Sequence, residues 1–228
     1  MTARYPKLVA LDLDFTIWPL DIDWYNNVEL DKKDPTKVIG KGYGSDRTPI
    51  ALYEGVPEVL RHLKERDVEV VACSRSWAPE VAKKALGLFR VPFGAEGETI
   101  SALECFTWRN SEIEDTDKRG HFRRVQASYA SEGKDIPFEE MLFFDDATYN
   151  GVVADLGAYL FFLCRDYSLA KEIHLAGVTF HLLSRKGLDM AAFEAGLEKW
   201  RRNIARYEAG EGQESIPAKS SKRKNKRK

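Results

Sequence analysis

The chain has 228 residues, of which 43% are hydrophobic, and its 35 Lys and Arg nearly balance its 36 Asp and Glu, giving a net charge of −1. This composition describes one ordinary globular domain and excludes disorder along the whole chain. The three Cys are an odd number and include no CxxC pair, so the sequence supports neither a disulfide framework nor a Cys-rich zinc site and favours a reducing compartment.

The first half of the chain predicts a βαβ unit with a long interruption. Residues 7–14 (KLVALDLD) form an apolar run that ends in acids, which is typical of a buried parallel strand. Apolar residues at helical spacing predict a helix over residues 54–66, and residues 68–73 predict a second strand. Residues 18–53 are too many for an ordinary connection of about 2 to 6 residues, so we expect a flap or hairpin over the strand ends.

The rest of the chain continues the alternation. The pattern predicts helices over residues 77–88, 118–131, 152–156 and 188–207, and strands over residues 104–108, 141–144, 158–163 and 178–182. We therefore expect an α/β fold with a doubly wound parallel sheet, which binds ligands at the carboxyl ends of its strands. No inserted segment is large enough to form a second domain of about 60 residues or more.

A basic run ends the chain. Residues 219–228 hold seven Lys or Arg and no acid, which leaves 28 basic against 36 acidic residues elsewhere, a net charge of −8. We expect a folded domain over residues 1–208 and a disordered basic tail over residues 209–228. Such a run is typical of a nuclear-import signal or a weak nucleic-acid contact, and equally of a solvated tail.

Two further features indicate where the protein works. Residues 1–14 contain two Asp directly after a short apolar run, and this run is too short for a signal peptide. The longest apolar stretch, residues 156–164, is far shorter than the roughly 20 residues that span a bilayer. We therefore expect a cytoplasmic protein with no membrane contact, which the basic run could also direct to the nucleus. We expect a monomer because the folded part has a net charge of −8 and no segment suggests self-pairing.

Two pairs of carboxylates follow predicted strands. Asp12 and Asp14 lie two apart on the first strand, so their side chains project to the same face, and Asp145 and Asp146 follow another strand. Clustered carboxylates are costly unless a cation joins them, and a hard divalent ion such as Mg²⁺ prefers such oxygen ligands. The pattern predicts a magnesium site, although a single acidic pair is often only a cap or a loop acceptor.

Three further polar residues stand where an anion could bind. Ser74 and Arg75 follow the second strand, where a hydroxyl and a guanidinium can hold a phosphate. Lys118 opens a helix and could place its ammonium beside the same anion. Each signal alone is weak, since Ser is often an N-cap and most lysines are solvated.

Aromatic residues cluster after the first acids. Phe15, Trp18, Trp24 and Tyr25 could cover an aryl or sugar phosphate, and Trp18 is equally suited to substrate binding and to core packing. His121 follows Lys118 by one helical turn and could face the same site, although an exposed helix position is the stronger expectation.

Taken in order, four motifs resemble those of the haloacid dehalogenase superfamily: LDLDFT at 11–16, Ser74 after a strand, Lys118 before a helix, and FFDD at 143–146. The longer matches LDLDFTIWPL, YEGVPEVLRHL, ACSRS, DKRGHF and FFDDATYN are similar to the small magnesium-dependent phosphatase family, which has a minimal cap. The resemblance covers about residues 5–185.

The resemblance implies roles for these residues. Asp12 would attack phosphorus and form an aspartyl-phosphate, while Asp14 would act as acid and base and would bind the metal through its backbone carbonyl. Ser74 and Lys118 would neutralise charge on the phosphoryl oxygens. Asp145 or Asp146 would complete the metal site, and which of them is the inner ligand is left open.

Other kinds of enzyme lack support in the sequence. A cysteine-based phosphatase needs Arg six positions after its Cys, and none of the three Cys has one. A dinucleotide fold needs GxGxxG directly after the first strand, whereas Gly40, Gly42 and Gly44 lie far from it. A dehalogenase that acts on carbon normally lacks the second acid, because halide leaves without a proton, so Asp14 favours phosphate esters as substrates. A phosphomutase usually has a full cap domain, and no inserted segment here is long enough for one.

The sequence leaves two classes of function. The first is hydrolysis of a phosphate monoester on phosphotyrosine, a sugar or a small metabolite, with acid or protein-tyrosine phosphatase activity. The second is a non-catalytic module of the same fold that its basic tail recruits to nucleic acid or to an acidic partner.

Overall fold

The computed structural model describes residues 4–42, 44, 47–163 and 177–210, with the backbone alone for residues 157–163. The strands are β1 (Leu8–Leu11), β2 (Tyr25–Leu30), β3 (Val38–Gly42), β4 (Arg47–Ile50), β5 (Glu69–Ser74), β6 (Arg90–Pro92), β7 (Thr99–Ser101), β8 (Glu112–Ile113), β9 (Met141–Asp145) and β10 (Thr179–Leu182). The α-helices are α1 (Val56–Lys64), α2 (Pro79–Leu88), α3 (Lys118–Ser131) and α4 (Met190–Glu208). Turns of 3-10 helix cover Ile22–Trp24, Ala102–Cys105, Trp108–Asn110, Phe138–Glu140 and Thr148–Leu163.

The central sheet has five strands in the order β10-β9-β1-β5-β8, and its pairs are parallel. The strand β1 lies in the middle, between β5 on one side and β9 on the other. The chain thus leaves β1 toward β5 and returns to its other side at β9, which makes a switch point where ligands bind in open α/β sheets.

Helices cover both faces of this sheet. Along β1, Val9 and Leu11 join one buried cluster, whereas Leu8 and Ala10 join another, because successive side chains of a strand point to opposite faces. The first cluster contains side chains of α1, α2 and α4, and the second contains side chains of α3. This arrangement confirms the predicted doubly wound α/β fold.

Residues 18–53, the predicted flap, contain the antiparallel sheet β2-β3-β4. Its apolar side chains Val28, Val38 and Ile50 are buried in the first core cluster. Lys84 of α2 donates a hydrogen bond of 2.8 Å to the Asn27 side chain of β2. The segment is therefore packed into the body of the domain.

Two predicted strands are wrong. Residues 104–108 form no strand, because Ser101 and Glu104 form a capping box that starts a 3-10 turn, and the edge strand is β8. Residues 158–163 belong to the run of 3-10 turns over Thr148–Leu163, as does the helix predicted over residues 152–156. Short apolar runs fit a buried strand and a buried helical turn equally well, so periodicity did not separate them.

The ends of the chain leave some predictions untested. The helix α4 ends at Glu208, next to the predicted domain boundary at 208. The basic run at 219–228 lies outside the described residues, so the tail, its contacts and the cytoplasmic and nuclear location stay predictions. Within the part of the chain described, no helix is both long and apolar enough to cross a membrane.

Candidate active site

The site lies where β1, β5 and β9 end. The pairing of Leu11 with Ala72 and with Phe144 places the next residues, Asp12, Cys73 and Asp145, side by side. The backbone N–H of Asp12 donates a hydrogen bond of 3.0 Å to the Phe144 carbonyl, which continues the ladder by one residue. The register of the sheet therefore brings the acids of two distant motifs together.

Three carboxylates form an acidic cluster at this edge. Asp12, Asp145 and Asp146 each offer an oxygen, and these oxygens lie within 4.8 Å of one another. Asp12 and Asp145 are buried, whereas Asp146 is exposed. Burial, and then the charge of Asp12, raises the pKa of both Asp145 and Asp146. Three oxygen donors with excess negative charge fit a hard divalent cation such as Mg²⁺.

Asp145 is held rigidly by its own loop. Its Oδ1 accepts a hydrogen bond of 2.7 Å from the backbone N–H of Ala147, and its Oδ2 accepts one of 2.7 Å from the side chain of Asn150. Asn150 stands in the motif FFDDATYN, but the sequence did not predict a role for it. Of the adjacent acids, Asp145 is thus the buried and oriented one.

Lys118 provides the positive charge at the acidic cluster. It is 1% exposed, and its Nζ donates a hydrogen bond of 2.6 Å to Asp12 Oδ1 and another to the Cys73 carbonyl. The same nitrogen lies 3.4 Å from Asp145 Oδ2. Burial lowers the pKa of Lys118, but the charges of Asp12 and Asp145 outweigh it and the net pKa is raised. Lys118 is therefore charged, and it joins the two buried acids.

Asp14 does not join the acidic cluster. Its Oδ1 accepts hydrogen bonds from the indole N–H of Trp18 at 2.6 Å and from the backbone N–H of Ile22 at 3.1 Å. Burial raises the pKa of Asp14 to about 7, against the lowering effect of the Trp18 hydrogen bond. A carboxyl group of this kind can both give and take a proton near neutral pH.

The structure corrects the substrate-binding role predicted for Trp18. Its ring is 1% exposed and lies 6.2 Å from the ring of Phe89, inside the first core cluster. A side chain so placed cannot cover a substrate. Its one polar group, the N–H, is directed to Asp14 because a buried indole N–H needs an acceptor.

Ser74 and Arg75 follow Cys73 at the end of β5. Ser74 is buried, and its carbonyl accepts a hydrogen bond of 3.1 Å from the backbone N–H of Glu114. The exposed guanidinium of Arg75 binds Asp115 at 2.8 Å and lies 5.9 Å from the centre of the Tyr149 ring. Arg75 is thus at the edge of the site, already paired with a carboxylate.

Four exposed aromatic residues stand close in sequence to these groups, and we call them the aromatic rim. Their exposed fractions are 43% for Phe15, 68% for Trp24, 77% for Trp77 and 64% for Tyr149. Phe15, next to Asp14, has a left-handed backbone with φ of 55°, which is strained for a bulky residue. Of the aromatic residues that the sequence suggested as a cover for the substrate, Phe15 and Trp24 are exposed, whereas Tyr25 is buried. Trp77 and Tyr149 were not predicted.

Asp23 ties the segment of residues 18–53 to the loop after Ser74. Its Oδ1 accepts hydrogen bonds from the Ser76 hydroxyl at 2.6 Å and from the backbone N–H of Trp77 at 3.0 Å. Trp24 and Trp77, both in the aromatic rim, therefore lie on two segments that are joined by hydrogen bonds to Asp23.

His121 is neither exposed nor directed to the acidic cluster, contrary to both expectations. It is fully buried, and its Nε2 lies 3.0 Å from the Glu114 carbonyl and 2.9 Å from the Thr116 hydroxyl. Burial, together with the charges of Lys118 and Arg124, lowers the pKa of His121 to about 4. This histidine ties the loop before α3 to the helix that presents Lys118.

We expect His121 to make stability fall in acid. The unfolded chain takes up a proton at the ordinary histidine pKa of about 6.5, whereas the folded chain resists it until about pH 4, so stability is lost on going down through this range. Between about pH 7.5 and about pH 5, the wild type should lose roughly 2 kcal/mol relative to His121→Gln. Urea unfolding of both proteins at the two pH values measures this difference, and an unchanged difference would contradict the prediction.

Comparisons with known proteins agree with this geometry. The family model described as Acid Phosphatase matches residues 4–173. A protein of Schizosaccharomyces pombe named as a HAD-like hydrolase superfamily protein is 35% identical over 160 residues, which cover 68% of this chain and 83% of the relative. Human magnesium-dependent phosphatase 1 is 35% identical over 156 residues, covering 68% of this chain and 76% of the relative. The chain therefore belongs to the acid phosphatase family of the haloacid dehalogenase superfamily, which confirms the resemblance carried by its motifs.

Proposed function

We propose that this protein is a magnesium-dependent phosphatase that hydrolyses phosphate monoesters through an aspartyl-phosphate at Asp12. One observation supports this most strongly: Asp12 lies at the switch point of the sheet with its Oδ1 bonded to the buried Lys118 at 2.6 Å. A fixed ammonium beside a carboxylate can hold the anionic phosphoryl group that the carboxylate attacks.

In the first step, Asp12 forms a bond to phosphorus as the ester oxygen leaves. Lys118 occupies Oδ1, so we assign the attack to Oδ2. Asp14, whose pKa is about 7, gives its proton to the departing oxygen and so releases an alcohol. In the second step Asp14 takes a proton from water, the resulting hydroxide oxygen bonds to phosphorus, and the bond to Asp12 breaks, which releases phosphate.

Charge neutralisation supplies the rest of the catalysis. Lys118 would contact the phosphoryl oxygens from one side. The Ser74 hydroxyl and the loop that follows it would contact them from another side. Asp12, Asp145 and Asp146 would hold Mg²⁺, together with the Asp14 carbonyl that the resemblance implies. The bound ion would neutralise phosphoryl oxygens as a Lewis acid. The name of the human relative, a magnesium-dependent phosphatase, supports this choice of metal.

The substrate is a phosphate monoester borne by a small molecule or a protein. The fold has no separate cap domain among its described elements, and the aromatic rim is open to solvent. Exposed aromatic rings suit the flat or apolar face of a substrate, so phosphotyrosine and aryl phosphates, as well as sugar and small-metabolite phosphates, belong in the first screen.

Hydrolysis of p-nitrophenyl phosphate with Mg²⁺ and with a chelator tests the proposal. We expect turnover that the chelator abolishes. Quenching during turnover and reducing with borohydride should convert the acyl phosphate at Asp12 to homoserine, which peptide mass spectrometry detects. A folded, magnesium-loaded protein that hydrolyses none of a panel of aryl, sugar and nucleotide phosphates would favour the binding-module alternative.

A further inference from the structure

The hydrogen bonds to Asp14 distinguish its two oxygens. Both N–H donors, from the Trp18 indole at 2.6 Å and from the Ile22 backbone at 3.1 Å, reach the same atom, Oδ1. An oxygen that accepts two N–H donors is a poor place for an acid proton, because the proton and the donors would repel each other. A protonated Asp14 therefore carries its proton on Oδ2.

The indole is itself fixed by packing. Trp18 is 1% exposed, lies in the same core cluster as Ile17 and Ile22, and contacts the ring of Phe89. A side chain locked on all sides cannot follow Asp14 if the carboxyl group rotates. The direction of the N–H is set by the core, and the direction of the carboxyl group follows from the N–H.

We propose that Trp18 is a positioning residue that holds the Asp14 carboxyl group so that Oδ2 delivers the proton to the leaving oxygen. This inference rests on the proposed phosphatase function and adds to it a residue that does not touch the substrate. It also explains why a tryptophan stands here, because a purely apolar ring would fill the core without orienting the acid.

The leaving group distinguishes positioning from packing. The nitrophenolate of p-nitrophenyl phosphate departs without a proton, whereas the alkoxide of a simple alkyl phosphate needs one. Trp18→Phe removes the N–H and leaves the Ile22 donor in place. We expect kcat/KM to fall about tenfold for the alkyl phosphate and to stay within about threefold of the wild type for p-nitrophenyl phosphate.

Three further variants sharpen the test. Asp14→Asn should also lower kcat/KM for the alkyl phosphate more than for p-nitrophenyl phosphate, and the loss should be larger than in Trp18→Phe. Phe89→Leu removes a ring that packs on Trp18 but keeps the N–H, so it should lower both activities equally or not at all. Because Trp18→Phe also loses volume, 3-benzothienylalanine at position 18, which has the shape of Trp with sulfur in place of N–H, should reproduce the selective loss with the core filled.

The possible results are distinct. Equal losses for both substrates in Trp18→Phe and in the benzothienyl protein would overturn the positioning role while leaving the phosphatase assignment intact. A selective loss in Phe89→Leu as large as that in Trp18→Phe would assign the effect to packing and overturn it as well. A folded wild type that hydrolyses neither substrate with Mg²⁺ would overturn the proposed function and this inference together.

Discussion

Replacing Asp12 by Asn is expected to reduce phosphatase turnover by about 10⁴-fold or more, since an amide oxygen is a poor nucleophile and cannot form the aspartyl-phosphate. The fold should be retained. The Asn side chain still offers an acceptor for Lys118, and the substitution removes a negative charge that lies beside the buried Asp145. Without Mg²⁺, the melting temperature of the variant should therefore equal or exceed that of the wild type.

Added Mg²⁺ should raise the melting temperature of the wild type more than that of Asp12→Asn. The wild type should melt at a higher temperature when Mg²⁺ is added, because a ligand that binds only the folded state stabilises it. The melting temperature of Asp12→Asn should rise less, because this variant has one carboxylate fewer in the acidic cluster. Differential scanning calorimetry with and without Mg²⁺ makes this comparison and does not depend on activity.

Asp67→Asn is the matched control for this prediction. Asp67 is exposed, precedes β5 at the opposite end of the sheet, and has φ of 53°, a conformation that Asn also adopts readily. It should leave turnover and the magnesium response unchanged. Retention of more than a tenth of the wild-type turnover by Asp12→Asn would refute its assignment as nucleophile.

Replacing Lys118 by Met is expected to damage stability as well as activity. Met fills a similar volume but leaves Asp12 and Asp145 buried without their positive partner. Breaking a buried ion pair by removing one partner costs about 3 to 5 kcal/mol, and we expect a loss of this size in the free energy of unfolding without Mg²⁺. Turnover should fall by about 10³-fold, because the ammonium no longer neutralises the phosphoryl group.

Added Mg²⁺ should restore part of this stability, because a cation at the acidic cluster compensates the same carboxylates. Urea unfolding of the variant and the wild type, each with Mg²⁺ and with a chelator, measures the four free energies. The exposed Lys32→Met, in the segment of residues 18–53, is the control and should change none of them by more than about 0.5 kcal/mol. A Lys118→Met variant as stable as the wild type in chelator would show that the ion pair contributes no net stability.

Features that depend on short stretches of sequence were predictable. The strands β1, β5 and β9 follow from apolar runs that end in polar residues, and the alternation with α1 and α3 implies a parallel sheet. In such a sheet the carboxyl ends of the strands share one edge, so Asp12, Ser74 and Asp145 had to lie near one another. Lys118 was identified only through the order of the four motifs.

The surroundings of each side chain were decided by packing between distant segments. Trp18 is buried because Phe89 and the core cover it, and this burial turns a candidate substrate contact into a partner of Asp14. His121 is buried because the loop with Glu114 and Thr116 folds back onto α3. No local pattern contains these contacts, since each joins residues that approach only when the chain has folded.

The order of residues along the chain was enough to predict the type of fold, the edge of the sheet that carries the site and the acids available there, because backbone periodicity and strand polarity are local properties. The folded structure was needed to show that Asp145 is buried and Asp146 exposed, that Asn150 orients Asp145, and that residues 18–53 pack into the body of the domain. The burial and the hydrogen-bond partners of a carboxyl group depend on which segments pack together in the folded chain. Burial and partners in turn determine the pKa of each carboxyl group.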